Sequence, residues 1–330
     1  ALELSKKEPF YELLEHFPNS KIIGFEIEEK VCDEMNLKAP KGVEYYPHAL
    51  GKKNEKKKLF NTKHPMCTSL YKPNEKFIRL YNNLEFAYLK NETETHTITL
   101  DTFADKYNIN DIDFIKIDVQ GAELDVFKGG NNALKNVIKI ICEVEFVPIY
   151  ENQPLFGDVC SFLKQYDLMF NKFLGFAGRT LKPLIANEGP NVASQHMWSD
   201  AVFIHHVEKI QNLSDEKLLK LSFLSAIYNS IDLAYFCLLI YDKRNSSNIT
   251  KDWINSIPSP FSLGSIFIKT SANWPAPPDC FLCLYFACPF DVIVSRKGTL
   301  TFSISILIPN LLSNLSVVTV KCNSPWPEII

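Results

Sequence analysis

The chain has 330 residues, 46% of them hydrophobic and 22% charged, with a formal net charge of -3, a composition ordinary for a soluble globular protein. So small a net charge gives no electrostatic case for nucleic acid or an anionic membrane as partner, and neither is expected. Apolar runs such as Phe281 to Ala287 and Ile304 to Ile308 fall well short of the roughly 20 residues that span a bilayer, and the opening Ala1-Leu2-Glu3-Leu4-Ser5 lacks the apolar core of a signal peptide.

Ser5 to His16 carries apolar residues at Phe10, Leu13, Leu14 and Phe17, the spacing of an amphipathic helix. Lys21 to Phe25 reads as a short buried strand ending at the acid Glu26, and Glu28 to Asn36 as the next helix. An acid at such a strand tip accepts hydrogen bonds from ribose hydroxyls in nucleotide-binding folds, which makes Glu26 the candidate ribose ligand; the competing reading is a solvated glutamate at a helix start. Val43 to Pro47 reads as a third strand with His48-Ala49-Leu50-Gly51 as its exit. Lys52 to Lys58 holds five lysines in seven residues and reads as a solvated hairpin turn closing into Leu59-Phe60-Asn61. Between Tyr71 and Thr93, aromatic residues suggest a β-insertion or a cap over a pocket, and Thr95 to Thr99 alternates as a strand. A helix follows from Leu100, capped by Thr99 or Asp101.

Asp113 to Asp118 is an apolar strand that ends in an acid, Gly121 breaks it, and Ala122 to Lys128 are helix formers. In open α/β sheets ligands bind beyond the carboxyl ends of the strands, so Asp118 stands where chemistry is usually done. Val137 to Cys142 reads as an apolar, fully buried parallel strand followed by Glu143 and Glu145, one of which is expected to face the pocket, with Glu145 the candidate. Phe156 to Gln165 is amphipathic, Asp167 to Phe176 strand-like, and the polar stretch Gly178 to Met197 has the length of a substrate-facing lid. Ser199 to Ile204 is a final strand; helices over Ser214 to Tyr228 and Ser230 to Asp242 follow. Cys32, Cys67, Cys142, Cys160 and Cys237 are scattered singly, as reduced core cysteines of a cytoplasmic protein are. Cys280 and Cys283 have Cys-x-x-Cys spacing without a second pair, too little for a metal site, and no metal is expected.

Lys116-Ile117-Asp118-Val119-Gln120-Gly121-Ala122-Glu123 resembles the Lys-(Ile/Leu)-Asp-(Val/Ile)-Glu-Gly-Ala-Glu signature of FkbM-type methyltransferases. Phe25-Glu26, His48 to Gly51, Thr68-Ser69-Leu70, Thr99 to Phe103, Glu143 to Phe146 and Tyr150 to Phe156 fit the same family in the same order. The resemblance covers residues 1–206. It implies a Rossmann-like α/β methyltransferase sheet with helices on both faces, S-adenosylmethionine as cofactor, and O-methylation of a hydroxyl on a sugar or other small molecule. It further implies Asp118 as cofactor ligand or base, Lys116 and Glu123 as its supports, and Glu26, His48, Ala49 and Asp118 as cofactor contacts; His48 is either an adenine-pocket wall or an exposed turn residue. Asp118, Gln120 and Glu145 are the catalytic candidates. Gln120 departs from the family's usual Glu and cannot act as a base, so an inactive methyltransferase-like interaction protein is the alternative function.

The family's first strand and its cofactor loop precede the position matched by Ala1, so the sequence predicts a sheet with an empty central slot, unable to bind cofactor or fold uniformly. Residues 207–244 read as a helical extension. Residues 245–330, rich in Ser, Pro, Cys and Phe, read as an atypical tail, mistranslated or disordered, or else a β-rich accessory domain. Within it Thr299 to Ile308 is β-prone, yet nothing marks it for the slot.

Overall fold

The computed structural model describes residues 8–17, 19–186, 193–256 and 316–321. Its strands are β1 (Lys21–Phe25), β2 (Val43–Tyr46), β3 (Ala49–Leu50), β4 (Glu55–Thr62), β5 (Leu89–Ile98), β6 (Phe114–Asp118), β7 (Lys139–Glu145), β8 (Leu168–Phe173), β9 (Ala177–Gly178), β10 (His196–His205) and β11 (Ser316–Lys321). The α-helices are α1 (Glu12–His16), α2 (Glu29–Lys38), α3 (Glu75–Ile78), α4 (Leu100–Lys106), α5 (Glu123–Lys128), α6 (Phe156–Leu163), α7 (Asp215–Ile227), α8 (Ile231–Asn245) and α9 (Ile249–Ser256).

The main sheet runs β2-β1-β11-β6-β7-β10-β8, with β9 paired to β10, and a smaller sheet runs β3-β5-β4. From β2 to β7 all pairs are parallel, whereas β10 lies antiparallel to β7 and β8. The two-residue period of the strands sorts side chains onto two cores. Phe114, Ile141, Val202 and Ile204 pack with Phe10, Leu13 and the buried sides of α7 and α8. Ile115, Ile117, Ile140 and Cys142 pack on the other face with Leu100 and Phe103 of α4, Val126 and Phe127 of α5 and Leu163 of α6. Helices therefore cover both faces of a sheet whose central strands are apolar on each side.

The central slot predicted to be empty holds β11. Residues 316–321 pair in parallel with β1 on one edge, Ile23 opposite Val318, and with β6 on the other, Ile115 opposite Val318. The physical reason is the demand of two buried parallel strands for backbone partners, since an unpaired buried amide or carbonyl costs about 1 to 3 kcal/mol. Thr299 to Ile308 lies outside the described residues, as do Cys280 and Cys283. The helical part also passes residue 244: α8 ends at Asn245, and α9 follows, burying Trp253 against the first core.

Other expectations are corrected by pairing. Of the lysines in the presumed turn, Lys52 and Lys53 precede β4 in a bend, but Lys56, Lys57 and Lys58 lie in β4 and stand opposite His96, Thr95 and Glu94 of β5. Cross-strand ion pairs, Lys56–Glu94 at 2.6 Å and Lys58–Glu92 at 2.8 Å, let this charged face be a strand. The lid stretch is shorter at its end, because His196 and Met197 already belong to β10, and Asn187 and Asn191 lie outside the described residues. The run from Val137 contains Lys139, fully buried, whose ammonium donates to the Leu224 carbonyl at 2.8 Å and sits 5.1 Å from the Tyr228 ring centroid. Burial, helped by repulsion from Lys172, pulls its pKa down to about 7. The cysteines Cys32, Cys67, Cys142, Cys160 and Cys237 are free thiols. Among the described residues no helix is long and apolar enough to cross a membrane.

Helix α7 is tied to the base of β6 by charge. Asp113, 1% exposed, meets Lys217 at 2.7 Å and Lys220 at 3.0 Å.

A proline at Val318 removes a backbone donor from a strand paired on both edges. Val318→Pro is expected to lower unfolding stability by about 3 kcal/mol or more, read from urea denaturation followed by circular dichroism. An unchanged midpoint would show that β11 does not hold the sheet together.

Candidate active site

The parallel strands β1, β11 and β6 end on the same edge of the sheet, and the acids foreseen from the sequence stand there. Glu26 follows β1 directly, is 7% exposed, and accepts the Glu28 amide at 3.0 Å. Burial raises its pKa, against that hydrogen bond. Glu26 lines a cavity of about 510 Å³ together with Phe25, Val31, His48, Ala49 and Val119, with Thr68 and Ser69 from the facing loop and Leu59 and Asn61 from β4. The volume lies in the usual range of small-molecule sites, roughly 300 to 1,000 Å³. His48 sits within hydrogen-bond distance of the Tyr107 hydroxyl, 3.0 Å, in an aromatic group with Phe103, and burial lowers its pKa. It is thus a cavity-wall residue held by a partner.

Asp118 ends β6 beside this cavity; its neighbour Val119 lines the wall while Asp118 itself belongs to a second, adjoining cluster. The turn that follows is bent by two left-handed residues, Gln120 at φ 56° and Gly121 at φ 89°. A side chain at Gly121 would press on Tyr150 and Gln153, so glycine is required by both space and conformation. Gln120 has no such freedom and is held by its neighbours: Ser69 Oγ donates to its carbonyl at 2.6 Å, and its amide nitrogen donates to Asp118 Oδ1 at 2.8 Å and to Glu143 Oε2 at 2.6 Å. The Tyr150 hydroxyl lies 2.9 Å from Gln120 Oε1 and 3.1 Å from the Cys67 carbonyl. Glu123 caps the turn by accepting the Val119 amide at 2.7 Å.

The expectation that only one of Glu143 and Glu145 faces the site is corrected. The two are separated by two positions in β7, so both project to the same side, that of Asp118 and Lys116. Burial, with the repulsion of neighbouring carboxylates, raises the pKa of Glu143 and of Glu145 well above the ordinary value and that of Glu123 to about 8. Of the two β7 acids, Glu143 is the one that Gln120 links to Asp118; Glu145 lies deeper, 3% exposed, near Gln153. Lys116 is buried but keeps its charge: burial opposes it, and Asp200, at 2.5 Å, with Asp118 outweighs burial to give a raised pKa. Glu143 and Tyr150 were missed as linked site residues; both lie in stretches that carry the family resemblance, which was the available signal.

Asp118, Glu123 and Glu143 each offer an oxygen within 4.8 Å of the others, a hard-donor set of the kind that binds divalent cations. Here the Gln120 amide nitrogen, a donor, bridges Asp118 and Glu143, and Glu123 spends one oxygen on the Val119 amide. The set is closed on itself by hydrogen bonds.

Comparison with family models gives one result for this chain: the methyltransferase FkbM domain matches residues 10–168. That range runs from the first aromatic of the sequence, Phe10, through both acid-tipped strands to the start of β8. No curated protein and no solved structure matches the chain.

The raised pKa of Glu123 carries a signed stability effect. Folded protein holds this proton up to about pH 8 while unfolded chain releases it near 4.5, so the contribution is complete at low pH and is lost as pH rises through about 8. Glu143 and Glu145 act with the same sign. Glu123→Gln, which mimics the protonated side chain, is expected to flatten the fall in melting temperature between about pH 5 and pH 8 and to exceed wild type at the upper end by roughly 1 to 3 kcal/mol. Parallel scans across that range check it; parallel wild-type and variant curves would mean that Glu123 is ionised in the fold.

Proposed function

We propose that this chain, whose residues 10–168 match the methyltransferase FkbM domain, transfers a methyl group from S-adenosylmethionine to a hydroxyl oxygen of a sugar or other small metabolite. The observation that carries this reading is the pair of acid-tipped parallel strands on one sheet edge, Glu26 in the cavity wall and Asp118 beside it.

The cavity suits a nucleoside: a buried carboxylate to accept from ribose hydroxyls, and apolar and aromatic walls from Phe25, Val31 and His48 for a base. The Lys90 and Asn91 end of β5 and the loop at Thr68 and Ser69 supply polar groups on the opposite wall, where an acceptor would lie. Bound S-adenosylmethionine supplies an electrophilic methyl carbon on a sulfonium whose leaving group is a neutral thioether. The chain's own contributions are alignment, exclusion of water and proton removal. With the methyl donor bound, Asp118 would take the proton of the attacking hydroxyl. Charge from Lys116, fixed by Asp200, keeps negative charge tolerable in this buried place.

Two variants test the reading. Glu26→Ala is expected to weaken S-adenosylmethionine binding in calorimetric titration by about 1 to 3 kcal/mol, the value of a charged hydrogen bond removed; unaltered affinity would take Glu26 out of the cofactor site. Asp118→Asn, nearly isosteric, is expected to keep its melting temperature and lose about a hundred- to ten-thousand-fold in turnover, measured with radiolabelled methyl donor against a panel of hydroxyl acceptors. Full turnover would reduce Asp118 to a structural strand end.

A further inference from the structure

Gln120 is the site residue whose identity the resemblance cannot explain, because the family usually has a carboxylate there. Its geometry gives it a task. The amide is read at both ends: Tyr150, 1% exposed, presents its hydroxyl to Oε1, and this leaves Nε2 as the atom that meets Asp118 and Glu143. The donor end of the amide meets two carboxyl oxygens, and its oxygen end meets the Tyr150 hydroxyl, which also lies 3.1 Å from the Cys67 carbonyl. The backbone is fixed too, by the Ser69 hydroxyl on the Gln120 carbonyl, in a left-handed conformation that a non-glycine residue adopts at a cost of about 1 kcal/mol. Such strain persists where surrounding contacts over-determine it, and here three side chains and one hydroxyl do so.

The two carboxyls so bridged cannot both be ionised cheaply. Asp118 and Glu143 lie within one ligand distance of each other, Glu123 of α5 and Glu145 of β7 add repulsion, and the positive charge facing them, Lys116, is shared with Asp200 of β10. Glu143 is held toward its protonated form by burial first and by Asp118 second, partly through a hydrogen bond with it. The Gln120 amide, donating to both carboxyls, is the neutral donor between them.

We propose that Gln120 is a positioning residue for Asp118: its amide, held on its other side by Tyr150, donates to Asp118 and Glu143 together and fixes the Asp118 carboxyl at the end of β6. A donor is what this position needs, and glutamine provides one without a proton of its own to gain or lose. A glutamate at 120 fills the same role only when protonated, donating one hydrogen bond instead of two, and when ionised it adds a third charge to the pair. The role of Asp118 as base rests on the function proposed above; the contacts of Gln120 do not.

The test uses the full chain with carbon-13 in its Asp and Glu carboxyls, titrated by NMR, in wild type and in Gln120→Leu, Gln120→Glu and Tyr150→Phe, each checked for an unchanged fold by circular dichroism. Gln120→Leu, lacking the donor, is expected to protonate the bridged carboxyls at a pH higher than wild type by about one unit, Tyr150→Phe by less, and Gln120→Glu to bring one further titrating carboxyl into the neutral range. If Gln120→Leu unfolds, Tyr150→Phe and Gln120→Glu decide. Identical titration of the pair in every folded variant overturns the proposal and leaves Gln120 a space-filling residue. The pH profile of turnover separates the two readings. A titration that moves with a matching shift of the acid limb supports both. A titration that moves while the limb stays supports the positioning and overturns Asp118 as base.

Discussion

Strand β6 is bonded to β11 on one edge and β7 on the other, with Phe114 in one core and Ile115 and Ile117 in the other. A strand so enclosed has no water to satisfy its backbone, so its neighbours are obligatory. This constraint organises the molecule. It explains why residues 316–321, far along the chain, are found between β1 and β6, and why the two acid-tipped strands remain parallel and end together. Without a strand in that position, β1 with Glu26 and β6 with Asp118 would have no common frame.

The same burial sets the electrostatics. Five ionisable groups, Lys116, Asp118, Glu123, Glu143 and Glu145, gather at the ends of β6 and β7, where each isolated charge would be expensive. They are accommodated by different means. Lys116 keeps its charge through Asp200, the glutamates are pushed toward their neutral forms, and the Gln120 amide supplies donors where another cation would have to be. Lys139, two turns of the pleat earlier in β7, lacks a carboxylate of this kind and responds the other way, with its pKa brought down. Its cost is full below about pH 7 and vanishes as pH rises toward the ordinary lysine value, opposite in sign to the carboxyl cluster.

Much of this was legible in the sequence because it is local. Strand periodicity located β1, β6 and β7, the glycine break after Asp118 located the turn, and the order of family-like stretches located Glu26 and Asp118 on one edge. What was not legible is long-range. Six residues, Ser316 to Lys321, carry no signal of their partners, since β-propensity says that a segment can pair and not with what. The lysines of β4 misled because charge density favours a turn in isolation, and only the register with Glu92 and Glu94 shows them as a paired face. Lys139 was absorbed into an apolar run, and the expectation that only one of Glu143 and Glu145 faces the site came from overlooking that residues two apart share a side. Gln120 departs from the family's usual Glu, and the partners its amide meets, Asp118, Glu143 and Tyr150, come from three separate stretches and are legible only in the fold.

The distance between the two acids bears on what they can share. Glu26 and Asp118 end strands that are separated by β11, two inter-strand spacings or roughly 10 Å. One small group cannot touch both. An elongated ligand can, lying across the strand ends with a hydroxylated part at Glu26 and its reactive part toward β6. Val119 lines the cavity and Asp118 does not, so the cavity stops one residue short of the carboxyl cluster. A ligand filling it brings its far end up to the cluster without entering it. Asp118, half-buried, ends β6 at that boundary, with the Gln120 amide donating to it. The arrangement thus sets a preformed wall at Glu26 apart from a carboxyl cluster at the ends of β6 and β7 that is held by its own hydrogen bonds.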